Sequence, residues 1–154
     1  MGDVLHPEPA GDAVWPLHHV VEVAMPDLRV AGIKPLEHGA DLGVAVDRMD
    51  LAATLACFTP DARFTIATYN TLYQGRDTEI RAMFERLNAR YAQVWHGDFA
   101  HVVQGPNRIA SRFRVENITH AGEKLVKHNC NFFRLRGALF EEVFVYMSGD
   151  NSLS

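Results

Sequence analysis

From Val94 to Met147 the chain is cut by three turn motifs, GPN, HAGE and RG, into four runs of alternating side-chain character. The runs span about Val94–Gln104, Arg108–Thr119, Lys124–Arg136 and Leu139–Met147. Connections this short join only antiparallel neighbours, so this half of the chain is expected to form a meander. Alternation sorts its faces. In the second run Ile109, Phe113 and Val115 share one face, and Arg108, Arg112 and Arg114 share the other. The last run differs: Leu139, Val143, Val145 and Met147 line one face, while Phe140, Phe144 and Tyr146 line the other. Apolar character on both faces predicts two covers, a helical layer and a second copy of the chain. A homodimer follows as the expectation.

Helical spacing precedes the strands. A helix is expected from Leu36 to Met49, with Ala40 and Val44 on its apolar stripe and Gly39 and Gly43 weakening it. Asp50 suits the N-cap of a second helix, Leu51–Phe58, which TPD (Thr59–Asp61) should stop. Ala62–Thr68 reads as a strand and YNTLYQGR as a loop. Asp77 is then placed to cap a helix from Thr78 to about Tyr91, with Ile80, Met83, Phe84 and Leu87 on one face. Helices first and a meander after them make an α+β domain, helices packed on one face of the sheet.

Residues 1–35 hold Pro7, Pro9, Pro16, Pro26 and Pro35, five of the seven prolines, which excludes a long helix there. They read as an N-terminal extension to a domain at 36–154. His18–Met25 has the β-branched content of a short strand, expected to dock on a sheet edge or a partner subunit. With 154 residues and a net charge of -4, one domain without the basic face of a nucleic-acid binder is expected. No apolar run reaches the roughly 20 residues of a membrane helix. The first basic residue is Arg29, so no secretory signal is expected, and Cys57 and Cys130, which could pair, are read instead as two reduced, buried thiols of a cytoplasmic protein.

The stretch VDRMDLAATLACFTPDARF carries a more specific signal. Ala45, Asp47, Asp50, Phe58, Asp61, Ala62 and Phe64 match an AxDxxDxxxxxxxFxxDAxF-type pattern, and the closing EEVFVYMSGDN matches a last strand. Over about Leu36–Asn151 the chain resembles the SnoaL-like branch of the nuclear-transport-factor-2-like superfamily. The resemblance implies a cone, in which a curved antiparallel sheet wraps about three helices and leaves an apolar pocket for a small, cyclic organic molecule. It does not fix the chemistry, because the fold hosts isomerases, dehydratases, cyclases, hydrolases and non-enzymes.

An acid at position 47 interrupts an apolar helix, and the resemblance directs it towards the pocket mouth. In scytalone dehydratase-like members the matching aspartate pairs with a histidine from a later strand. Two candidates stand in VWHGDFAHVV, His96 and His101, five residues apart and so expected on opposite faces. Sharing a face with Trp95, Phe99 and Val103 favours His101; counting back from the next strand favours His96. The face argument is preferred. Such a carboxylate orients the imidazole and favours its charged form, and the histidine can then move a proton in eliminating water from a β-hydroxy carbonyl compound. The plainer alternative is that Asp47 bonds backbone groups at the helix junction.

Departures from the family pattern cut the other way. Dehydratase-like members carry tyrosines at the positions of Val46 and Ile66. Ketosteroid isomerases carry their base at Ile66 and oxyanion-hole groups at Leu42 and Asn131, and epoxide-hydrolase-like members an acid at Val145. Candidate ligand contacts are Asn131, as a polar anchor, with Ile66, Tyr69 and Phe144. The residues therefore leave two classes open, a cofactor-free lyase or isomerase and a non-catalytic binding or accessory protein. Eight histidines do not present a metal set: His18 and His19 are adjacent, and His128 and Cys130 lack further ligands. No nucleotide motif or nucleophile elbow occurs, so no cofactor is expected.

Overall fold

The computed structural model describes residues 42–154. The N-terminal extension, the strand expected at His18–Met25 and the first residues of the expected helix lie outside this range. Helix α1 (42–47) runs out through a turn to Met49, whose φ of 55° is left-handed. Its last turn closes with Met49 N–H on the Val46 carbonyl (2.9 Å) and Asp50 N–H on that of Ala45 (3.0 Å). This pattern normally recruits glycine, and here Met49 accepts the strain. Asn88 Nδ2 holds the Met49 carbonyl at 3.2 Å. Asp50 then caps α2 (Leu51–Ala56) as expected, its carboxylate accepting from Ala53 N–H at 2.9 Å.

Strand β1 (Phe58–Ile66) begins four residues before the expected strand and includes Pro60. A register shift between Phe58 and Arg63 takes up the proline, which has no N–H for a regular ladder. The loop expected after it holds a 3-10 turn (Ala67–Tyr69), a left-handed Asn70 and a short strand β2 (Thr71–Gln74) paired back on β1. Asp77 does not cap the next helix. It lies inside a π-helical turn, Gly75–Ile80, ion-paired to Arg76 at 2.8 Å, and α3 (Arg81–Arg90) continues from that turn.

The meander follows as β3 (Tyr91–Gln104), β4 (Arg108–Thr119), β5 (Lys124–Arg136) and β6 (Leu139–Met147). The six strands form one curved, unclosed sheet in the order β2-β1-β6-β5-β4-β3, antiparallel throughout except where β1 runs parallel to β6. Among the described residues three helices pack against it, and the architecture is the α+β cone with its apolar interior between helices and sheet. Phe58, Phe64, Phe84 and Phe140 form one aromatic cluster in that interior, with centroids 5.9–6.3 Å apart.

Two bulges change which side chains face inward. Glu141 is the extra residue where Arg134 pairs with Glu142 and Leu135 with Phe140, so Phe140 turns into the core rather than joining Phe144 and Tyr146. The other bulge lies in β3. Gly97 pairs with Arg114 and Ala100 with Arg112, leaving Asp98 and Phe99 opposite Phe113 alone. Asp98 takes a φ of 55°, and the alternation of β3 reverses beyond it.

Candidate functional site

A cavity of about 100 Å³ lies between α1, α3 and the inner face of the meander. Its walls are apolar: Leu42, Val46, Phe84, Leu87, Phe113 and Val145 are among them. Regular alternation puts Ile109, Phe113 and Val115 of β4 on this face, as the sequence predicts.

The β3 bulge governs the polar groups. His96 and His101 both line the cavity, so the expectation that they face opposite ways is corrected. Between them the inserted residue adds one to the count and restores a shared face. Trp95, expected inward, lies on the outside, where the Arg114 guanidinium stacks on it at 5.0 Å. Arg114 also reaches Asp98 at 2.8 Å and pairs with Glu116, which pins the bulge from outside.

Asp47 sits in the last turn of α1 and pairs with His96, not with the preferred His101. Its Oδ1 meets His96 Nδ1 at 2.6 Å, and its Oδ2 accepts from the His96 backbone N–H at 3.1 Å. One carboxylate thus fixes both the strand and the ring. A carboxylate oxygen accepts here, so Nδ1 is the donor, and in the neutral ring the lone pair is then left at Nε2. The backbone group bonded by Asp47 is the His96 N–H of β3, not one at the helix junction, so the plainer alternative considered for it does not describe this contact.

His101 has no such partner. Its ring stacks on Phe99 with centroids 5.4 Å apart, and its Nδ1 is buried without a hydrogen bond among the described residues. Burial holds its pKa below the ordinary histidine value, which favours the neutral ring. Asn131 lines the cavity from β5, as proposed for a polar anchor, and its Oδ1 is also unpartnered. The remaining predicted contacts lie elsewhere. Ile66 is fully buried in the core without lining the cavity. Tyr69 is half exposed and donates its hydroxyl to the Gly149 carbonyl. Phe144 points to the outer face, 37% exposed, because its parity on β6 is opposite to that of Val143 and Val145.

Sequence reasoning missed the C-terminal strap. Ser152 and Leu153 line the cavity. Tyr69, Lys127, Arg90 and Tyr73 donate to the carbonyls of Gly149, Asp150, Asn151 and Leu153 respectively, the last two at 3.2 Å. Each donor comes from a different element, so no local pattern announces the strap. It also missed Ser111, Asn117 and Asn129, cavity-lining residues of β4 and β5. Their signal was available: polar residues at inward parity on otherwise apolar strands. Among the described residues no group of three or more His, Cys, Asp or Glu is placed to hold a metal ion, and no helix is long and apolar enough to cross a membrane.

Solved structures share this architecture. A candidate polyketide cyclase from Xanthomonas campestris pv. campestris superposes with a TM-score of 0.67 at 19% identity, over 73% of this chain and 89% of that one. A protein with a ketosteroid isomerase-like fold from Catenulispora acidiphila, solved in complex with trimethylamine, gives 0.64 at 14% identity, over 71% and 84%. AusH from Aspergillus nidulans gives 0.66 at 12% identity, over 77% and 86%. At such identities the likeness is one of fold. No curated protein matches the chain in sequence. The model of the SnoaL-like domain matches residues 42–143, more than half of the chain, and the protein belongs to that family.

Proposed function

We propose that the cavity binds a small apolar or cyclic organic molecule and that Asp47 and His96 act on it as an acid–base pair, without a cofactor. The observation that carries this reading is the double grip of Asp47 on His96, at 2.6 Å to the ring and 3.1 Å to the backbone. With Nδ1 held, Nε2 is the free basic atom of a ring that lines an apolar cavity. In a β-hydroxy carbonyl ligand it takes the α-proton, and the electron pair moves to expel the β-hydroxyl. The same proton then passes to the departing oxygen, which leaves as water. Return of the proton to another carbon would instead isomerise the ligand. A positioned general base of this kind contributes roughly 10²–10⁴-fold. Likeness in fold to a candidate polyketide cyclase is in keeping with small organic substrates.

One observation favours a non-catalytic binding protein. Val46 and Ile66 occupy positions where dehydratase-like relatives carry tyrosines, and here both are buried hydrocarbon. Turnover assays separate the readings. β-Hydroxy carbonyl candidates are incubated with wild type and His96→Gln, and enone formation is followed by absorbance. Loss of about 10²-fold or more in the variant supports catalysis. Binding without turnover by wild type supports the accessory reading.

The same proposal includes a homodimer in the cytoplasm, where exposed thiols such as Cys130 stay reduced. Val102, Ala110, Phe132 and Phe144 pair in register to make one row across the outer face of four strands, and Val102 is 69% exposed. A second copy seated on this row would cover it. Phe132→Glu should then yield a monomer in sedimentation; a wild-type monomer at micromolar concentration would contradict the assembly.

A further inference from the structure

The Asp47–His96 pair accounts for only one polar group in the cavity. Strand pairing sets His101 opposite Ser111, and Ser111 opposite Asn131. Three polar side chains thus form one row across β3, β4 and β5, all on the cavity face. Ser111 is 3% exposed and Asn131 8%. Among the described residues, His101 Nδ1, Ser111 Oγ and Asn131 Oδ1 are each buried with no hydrogen bond. An unpaired buried polar group is destabilising by about 1–3 kcal/mol, so three in register on one cavity wall would gain from a partner within the cavity.

Chemistry narrows that partner. The row carries no formal charge, since burial favours the neutral form of His101. No lysine or arginine is among the described residues that line the cavity, so a carboxylate or phosphate would find no counter-charge from them. A serine hydroxyl, a neutral imidazole and a carboxamide each offer both donor and acceptor capacity. A hydroxyl group does the same. The row stands apart from the pair: Ser111 lies four residues along β4 from Val115, the partner of His96, or about 13 Å of strand. Phe99 and Phe113 lie between, their centroids 5.2 Å apart, and supply an apolar wall for the ligand body.

We propose that the His101–Ser111–Asn131 row is a subsite for a neutral hydroxyl group, so that the ligand carries a hydroxyl besides the group that meets His96. This rests on the reading of the cavity as a ligand site and assigns the chemical class of what enters it. The hydroxyl takes no part in the reaction and fixes the orientation of the molecule.

Ligand-observed NMR titration tests it with three aromatic probes: phenol, toluene, which matches it in size, and anisole, one methyl larger, which accepts but cannot donate. Phenol should bind wild type about 10-fold or more tighter than either analogue, the equivalent of one well-made hydrogen bond. That advantage should vanish in Ser111→Ala/Asn131→Leu and persist in Asp47→Asn. Ser111→Ala alone serves if the double variant does not fold, with the advantage reduced. Equal binding of phenol and toluene to wild type overturns the subsite and leaves the cavity reading standing. An advantage lost in Asp47→Asn but kept in the double variant also overturns it, by placing the hydroxyl on the acid–base pair. Binding of none of the three removes both the subsite and the cavity reading on which it rests.

Discussion

His96 and His101 stand five residues apart on one strand and look into one cavity, yet their surroundings are opposite. His96 is held at its ring and its backbone by a single carboxylate. His101 stacks on Phe99 and has a buried nitrogen with nothing to bond. The difference separates two uses of a buried polar group. One that is satisfied internally has its tautomer and orientation fixed before any ligand arrives, which suits proton transfer. One left unsatisfied is a stored cost that a ligand relieves, which suits recognition. The bulge at Asp98–Phe99 is what brings both to the same face.

Removing the satisfied half should have the largest effect on stability. Asp47→Ala deletes two hydrogen bonds to an ionised acceptor and strands the His96 N–H groups, so denaturant unfolding should show a loss of about 3 kcal/mol. An unchanged midpoint would mean the contact is solvated and the comparison collapses.

Gly97→Ala attacks the bulge that both histidines share. A Cβ there would come within 2.1 Å of the Trp95 ring, which is stacked under Arg114. Ring displacement should cost about 2 kcal/mol, read by denaturation, and should move His96 and His101 resonances together. A shift confined to one histidine would show that the bulge does not couple them.

The smallest effect concerns pH. Burial lowers the pKa of His101 below its ordinary value of 6.5. Between the folded and unfolded values the unfolded chain binds more protons, so stability is full above about 6.5 and falls as pH drops through the window below it. His101→Asn removes this contribution. Its melting temperature should fall less than that of wild type between about pH 7.5 and about pH 5.5. Equal falls would mean His101 is exposed to water and not a desolvated, unpartnered group.

Much of the fold was legible because alternation and turn motifs speak directly of strands. All four strands of the meander, the Asp50 cap and the inward face of β4 follow from spacing alone. Short-range strain was not so visible. Pro60 inside β1 and the hairpin through left-handed Asn70 defeat a reading by propensity, because tertiary pairing overrides it. The site suffered most. Choosing between His96 and His101 by parity assumes an unbroken strand, and one inserted residue inverts the answer. A warning was present, since a glycine inside a strand, followed by an aspartate tolerant of positive φ, is a bulge signature. Phe144 was misplaced for a simpler reason. An aromatic on β6 reads equally well as a pocket wall or an outer face, and only the register settles which.

Long-range proton–nitrogen correlation spectra of protein labelled with ¹⁵N at histidine test the central distinction most directly. His96 should be protonated at Nδ1, with a strongly hydrogen-bonded downfield proton that disappears in Asp47→Asn, while the His101 pattern is unaffected by that substitution. A His96 ring protonated at Nε2, or an Nδ1 proton that survives Asp47→Asn unchanged, would contradict it.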